Sequence, residues 1–187
     1  MKQISFCLLT ALLCALGLSA YGQLSLGGNL NVNLPQGDFG DEFKTGYGAT
    51  ATVRYGLNER INIGLNLGIQ AFNGKANHLF YEDASVRFVP ITGVFEFNLL
   101  TGKLKPYLGA DLGLYNYKVK YKGGSVGTYE KSETDLGMAP TFGLNFGMAD
   151  NLDLNFNIKY HVVFNEGTNA TFIGLGAGLI YYLGDKR

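Results

Sequence analysis

Charge is scarce in this sequence, and neither sign prevails. Charged residues make up 16% of the chain, with 15 lysines and arginines against 15 aspartates and glutamates. No basic excess is on hand for a phosphate backbone, which excludes a nucleic-acid partner. Cysteine is nearly absent: Cys7 and Cys14 both lie in the first 22 residues, so a chain that loses that segment has neither disulfides nor a thiol nucleophile. Of the two histidines, His78 and His161, neither has a carboxylate or thiol at metal-ligand spacing, and neither a metal centre nor a cofactor is expected. The apolar stretch Ile4–Leu18 is too short to span a bilayer comfortably as a helix. With Lys2 before it and Ala20-Tyr21-Gly22 after it, the stretch reads as a signal peptide over residues 1–22, cleaved before Gln23. Leu13 stands before Cys14 where a lipoprotein needs a small residue, so lipidation at that cysteine is rejected. The remainder, 23–187, is long enough for one domain with a full core.

What is present is glycine (27 residues), aromatics (13%) and a two-faced alternation. It is clearest in Leu152–Phe164. There Leu152, Leu154, Phe156, Ile158, Tyr160, Val162 and Phe164 fall on one side of an extended strand, and Asp153, Asn155, Asn157, Lys159 and His161 on the other. Such a strand is long for a half-buried soluble sheet and sufficient to cross a bilayer at a barrel's tilt, which takes about 9–11 residues. The same pattern recurs in Leu24–Leu34, Thr45–Gly56, Ile61–Phe72, Ser85–Leu99, Pro106 to about Tyr121, Thr134–Met148 and Ala170–Leu183. Eight strands result, with longer loops on one side, among them Pro35–Lys44 and Asn73–Ala84, and short turns on the other. This predicts an all-β fold, an eight-stranded antiparallel up-and-down transmembrane barrel with apolar residues toward lipid and polar residues in the lumen. Tyr55, Phe97, Phe146 and Tyr181 fall outward near the turn side, where a lower aromatic girdle belongs. Pro90 and Pro140 fall inside strands, and each is expected to force a bulge. A soluble lipocalin-type barrel is the competing architecture, disfavoured because the polar face is rich in asparagine and glycine and poor in charge.

The segment Lys105-Pro106-Tyr107-Leu108-Gly109-Ala110-Asp111-Leu112-Gly113-Leu114-Tyr115 resembles a recurrent strand opening of the outer-membrane β-barrel domain family, which includes small eight-stranded barrels of the OmpA and OmpX type. The resemblance extends over roughly Gln23–Leu183 and implies the fold and a location in the outer membrane of a Gram-negative bacterium. No single activity follows, because such barrels serve as anchors, adhesins, narrow channels or enzymes. The chain ends Tyr182-Leu183-Gly184-Asp185-Lys186-Arg187, a departure from the terminal aromatic common in the family.

Strand parity places Arg54, Glu96, Asp111, Asp153, Lys159 and His161 in the lumen. Unpaired charges are costly in a narrow interior, so they are expected to pair, Arg54 with Glu96 near the turn side and Lys159 with Asp111 higher up. Eight strands leave an interior just wide enough to be filled by side chains. Beyond Leu114 the outward face continues as Asn116, Lys118, Lys120 and Lys122. With a tip at Gly123–Gly127, Lys120 faces Glu130 and Tyr121 faces Tyr129 in a projecting hairpin. Such a hairpin offers a binding edge, or lysines for the phosphates of lipopolysaccharide. The chain is therefore expected to be a monomeric, non-catalytic outer-membrane protein of structural or surface-interaction type. Its partners are membrane lipid, lipopolysaccharide and an extracellular ligand or envelope protein. The alternatives are a narrow gated channel and, third, a lipid-modifying enzyme. Against the last, Val162 and not serine adjoins His161.

Overall fold

The computed structural model describes residues 23–75, 83–123, 127–165 and 167–184; the segment 1–22 expected to be a signal peptide and His78 lie outside them. Eight strands, β1 (Gln23–Gln36), β2 (Gly46–Gly56), β3 (Ile61–Asn73), β4 (Asp83–Asn98), β5 (Leu104–Gly123), β6 (Gly127–Ala149), β7 (Leu152–Val163) and β8 (Ala170–Tyr182), close in sequence order into an antiparallel barrel. β8 seals against β1 from Ser25↔Tyr182 to Gln36↔Thr171. Closure removes the sheet edges, the condition for strands to lie in a bilayer where unpaired backbone groups find no water.

Alternation decides which face meets lipid. Leu30, Leu65 and Leu112 are 65–75% exposed, while Thr52, Asn66, Asn145 and Asn155 between such residues are buried. A soluble barrel needs the reverse arrangement, so the lipocalin alternative fails on this inversion. The wall is apolar outside and asparagine-rich within. Large lumenal side chains fit because glycines stand beside them: a Cβ on Gly137 would come within 2.6 Å of the Tyr115 ring, and one on Gly143 would enter the ring of Tyr107.

The prolines do not bulge the sheet. In an antiparallel ladder a residue directs its N–H and C=O to the same neighbour, so a proline weakens one side only. Pro90 stays in register with Tyr115 on β5, and the β3–β4 ladder resumes in the same register from Leu67↔Ile91 to Gln70↔Phe88. Pro140 likewise pairs with Ala110, and β6–β7 resumes unshifted at Thr141↔Lys159. The shift in that ladder lies beside the turn, between Gly147 and Ala149.

Two further departures concern the end bearing the long loops. Pro35–Lys44 is not an irregular loop: it contains a short helix, α1 (Gly37–Glu42), entered through Gly37 at φ 56°. β6 starts at Gly127 rather than Thr134, and β5 runs on to Gly123. β4, β5 and β6 thus reach 16, 20 and 23 residues beside 11–14 in β1, β2, β3, β7 and β8. One side of the rim stands well above the other.

Candidate functional site

The lumen is built in three levels. At the floor, β5 contributes Lys105, β7 Asp153 and β8 Tyr182. Lys105 Nζ lies 3.1 Å from Asp153 Oδ2, and the Tyr182 hydroxyl donates to that same oxygen at 2.8 Å. Lys105 Nζ also donates to the Tyr182 hydroxyl at 3.3 Å and lies over its ring. On the opposite wall Arg54 Nε donates to Glu96 Oε1 at 2.9 Å, both side chains being buried. Arg54↔Gly64 and Asn62↔Glu96 are cross-strand neighbours along the two edges of β3, so the arginine reaches across a glycine to its partner.

Asp111 organises the middle level. Its Oδ2 accepts from Lys159 Nζ and from Asn66 Nδ2, each at 2.6 Å, while the Thr52 hydroxyl donates to Asn66 Oδ1. Beside it an amide chain crosses the interior. Asn157 Nδ2 donates to Asn155 Oδ1 at 2.8 Å, and Asn155 Nδ2 donates to Asn145 Oδ1 at 2.6 Å and to the Tyr107 hydroxyl at 3.1 Å. Above these, His161 Nδ1 is 2.9 Å from the Tyr115 hydroxyl. The imidazole stacks on Phe172 with ring centroids 4.4 Å apart.

Phe172 begins the third level, an apolar stopper at the mouth: Phe43, Phe72, Phe88 and Phe172 are almost wholly buried, with Phe39 of α1 packed on them. The Phe39–Phe43 and Phe39–Phe72 centroids lie 4.7 and 5.1 Å apart. Burial of such rings stabilises by roughly 1.5–3 kcal/mol each. The lumen is filled from floor to mouth.

All six lumenal residues singled out from the sequence, Arg54, Glu96, Asp111, Asp153, Lys159 and His161, point inward. Both pairs derived from strand height are in contact. Lys105, the partner of Asp153, was not foreseen, nor was Tyr182 as the companion of both. Lys105 stands one residue before the expected start of β5, and residues 181–182 are a tyrosine pair of which either member fits a girdle.

Outside the membrane, β5 and β6 continue as a ribbon with Lys120↔Glu130, Tyr121↔Tyr129 and Lys122↔Thr128 in register. Lys118 and Lys120 share Glu130, the second at 2.6 Å. Hydrogen bonds from Lys118 and Lys120, assisted by their charges, hold the Glu130 carboxyl well below the usual range, at about 2. Lys131 pairs with Glu133 at 2.6 Å, and the Tyr117 hydroxyl donates to the same carboxylate. Tyr129 is 61% exposed. Among the described residues, β6 loses its second neighbour above Gly137↔Val163. The Leu136 carbonyl still accepts from Phe164 N–H at 2.9 Å, which fixes the parity. Thr134, Ser132 and Glu130, at two-residue steps, turn both backbone groups to the same side, where no strand lies.

A closed antiparallel barrel with an apolar belt, a polar lumen and short turns at one end defines a transmembrane barrel of the outer-membrane class. Residues 5–181 match the model of the outer membrane protein beta-barrel domain, and the chain belongs to that family. No curated protein matches it. Among solved structures it is similar to Neisserial surface protein A, at 16% identity and a TM-score of 0.61 over 84% of this chain and 96% of that one. The attachment invasion locus protein Ail of Yersinia pestis, in complex with the heparin analogue sucrose octasulfate, gives 16% identity and a TM-score of 0.57 over 87% and 97%. The outer membrane protein OprG of Pseudomonas aeruginosa gives 14% and 0.55 over 88% and 96%. At such identities the likeness is one of fold.

Proposed function

We propose that this outer-membrane protein is a non-catalytic surface-interaction barrel, a filled membrane anchor that presents the β5–β6 ribbon to a partner outside the cell. The observation that carries this reading is the open edge of β6. Glu130, Ser132 and Thr134 hold donors and acceptors out at strand spacing, the template on which an extended partner segment adds a strand. The partner is then a protein with an exposed extended segment. Lipopolysaccharide phosphate is less well served, because Lys118 and Lys120 are both engaged by Glu130. The fold shared with an attachment invasion locus protein agrees with a surface role.

Ser132→Pro tests the edge. Its N–H points away from β5, so proline removes only the bond that an incoming strand would receive. Cells displaying the Ser132→Pro protein, or one in which Lys118–Ser132 is replaced by a two-residue turn, should fold the barrel normally and lose adherence to protein-coated surfaces. Unchanged adherence in both variants would sink the proposal.

A further inference from the structure

Beside the aromatic stopper, between α1, β4, β5 and the segment leading into β8, a cavity of about 240 Å³ opens to the outside. Its walls are aromatic: Phe39, Phe43, Phe88, Tyr117 and Tyr121 line it. Phe88 and Tyr117 stand with ring centroids 5.5 Å apart. The Tyr117 hydroxyl is turned away to Glu133, which leaves its ring as the lining surface. Five polar residues complete the described lining: Asp38, Glu42, Asn165, Thr168 and Asn169. Asp38 and Glu42 stand exposed on α1 at its rim, and neither forms an ion pair among the described residues. Asn165 Oδ1 is closed off from solvent and accepts no hydrogen bond among the described residues.

Among the described residues, no lysine or arginine lines the cavity. Lys75, which approaches α1, is directed at the Gly40 carbonyl at 2.6 Å, and Lys118 and Lys120 are held by Glu130.

We infer that this cavity is a binding site for a small organic monocation with an apolar body, an aromatic or short-chain ammonium compound. The chemistry is fixed from two directions. Aromatic faces attract a cation through their quadrupole and exclude an anion. Two rim carboxylates without a lumenal counter-charge add a field of the same preference. Size sets the rest: the cavity lies below the roughly 300–1,000 Å³ of drug-sized pockets, so one ring or a short chain fills it. The site is independent of the β6 edge and stands whether or not that edge binds a protein.

The test uses the full chain folded into phosphatidylethanolamine–phosphatidylglycerol nanodiscs, so that no detergent tail competes, with empty nanodiscs as the blank. 2-Phenylethylammonium and its anionic counterpart 3-phenylpropionate are titrated at neutral pH by calorimetry. The expected result is saturable binding of the ammonium, about tenfold or more tighter than that of the carboxylate. Val119→Trp, which fills the cavity from β5, should abolish binding, as should Ala170→Leu from β8 if the tryptophan variant fails to fold. Asp38→Asn with Glu42→Gln should narrow the gap between the two affinities without closing it, because the aromatic walls remain. Binding no stronger than to empty nanodiscs, equal affinity for both probes in the native protein, or full affinity in a folded cavity-filling variant would each overturn the inference.

Discussion

At the residue scale, Arg54 and Glu96 are both buried and joined by the bond from Arg54 Nε to Glu96 Oε1, while Arg54 Nη1 and Glu96 Oε2 have no partner among the described residues. Removing one partner strands a charge in a dry interior, which typically costs about 3–5 kcal/mol, whereas replacing both by apolar residues is often close to neutral. Glu96→Ala should therefore lower the urea midpoint of the folded barrel, and Arg54→Met with Glu96→Met should recover most of the loss. Equal destabilisation by the single and the double change would show that packing, and not the pairing, is what matters there. These two residues were legible in the sequence because a strand has only two faces and a turn sets the zero of height. The Lys105–Asp153–Tyr182 triangle was not, because it rests on strand ends, where one residue of extension changes which side chains belong to the lumen. Phe39 and Phe43 gave a weak signal, an i, i+4 aromatic pair of the kind that meets on one face of a helical turn, but it sits among glycine and aspartate in a stretch that otherwise reads as loop.

The β5–β6 hairpin poses a different problem. Within the membrane the contrast between faces reveals each strand; above it, in Gly127–Glu133, both faces are polar and the period-two signal vanishes, so β6 was placed to start too late. The pairing was still accessible, because a tip at Gly123–Gly127 fixes Lys120 against Glu130. The two-lysine clasp on Glu130 gives the ribbon a pH dependence of definite sign. Its folded carboxyl sits at about 2, below the ordinary 4.5, so the clasp stabilises fully above about 4.5 and is lost as pH falls toward 2. Carbonyl chemical shifts should place the Glu130 midpoint below that of an ordinary glutamate. It should return toward 4.5 in Lys118→Ala with Lys120→Ala, and partly so in high salt, since the group is exposed. An ordinary midpoint in the native protein would remove the clasp.

For the whole molecule, the closed ladder and the filled lumen make two demands. The detergent-folded protein should migrate differently on a gel before and after boiling and give a β-type circular dichroism spectrum, since closure leaves no free edge within the membrane-spanning wall. In planar bilayers it should hold no steady open conductance: ion pairs occupy the floor and middle, and Phe43, Phe72, Phe88 and Phe172 stop the mouth. A persistently open native channel would refute the anchor reading and revive the pore. The architecture was the most legible level of all, because it follows from counting alternating segments and comparing connection lengths. The uneven rim was the least, since wall height is encoded where the pattern fades.

That uneven rim has a mechanical meaning. A partner held along the upper part of β6 and pulled away from the cell loads the strands lengthwise. The ladder bonds from Gly123↔Gly127 down to Leu104↔Phe146 lie across that direction, so the pull is shared among them in shear and they cannot be opened one by one like a zipper. Tension therefore passes from a single exposed edge into the β-wall below it, on one flank of the barrel.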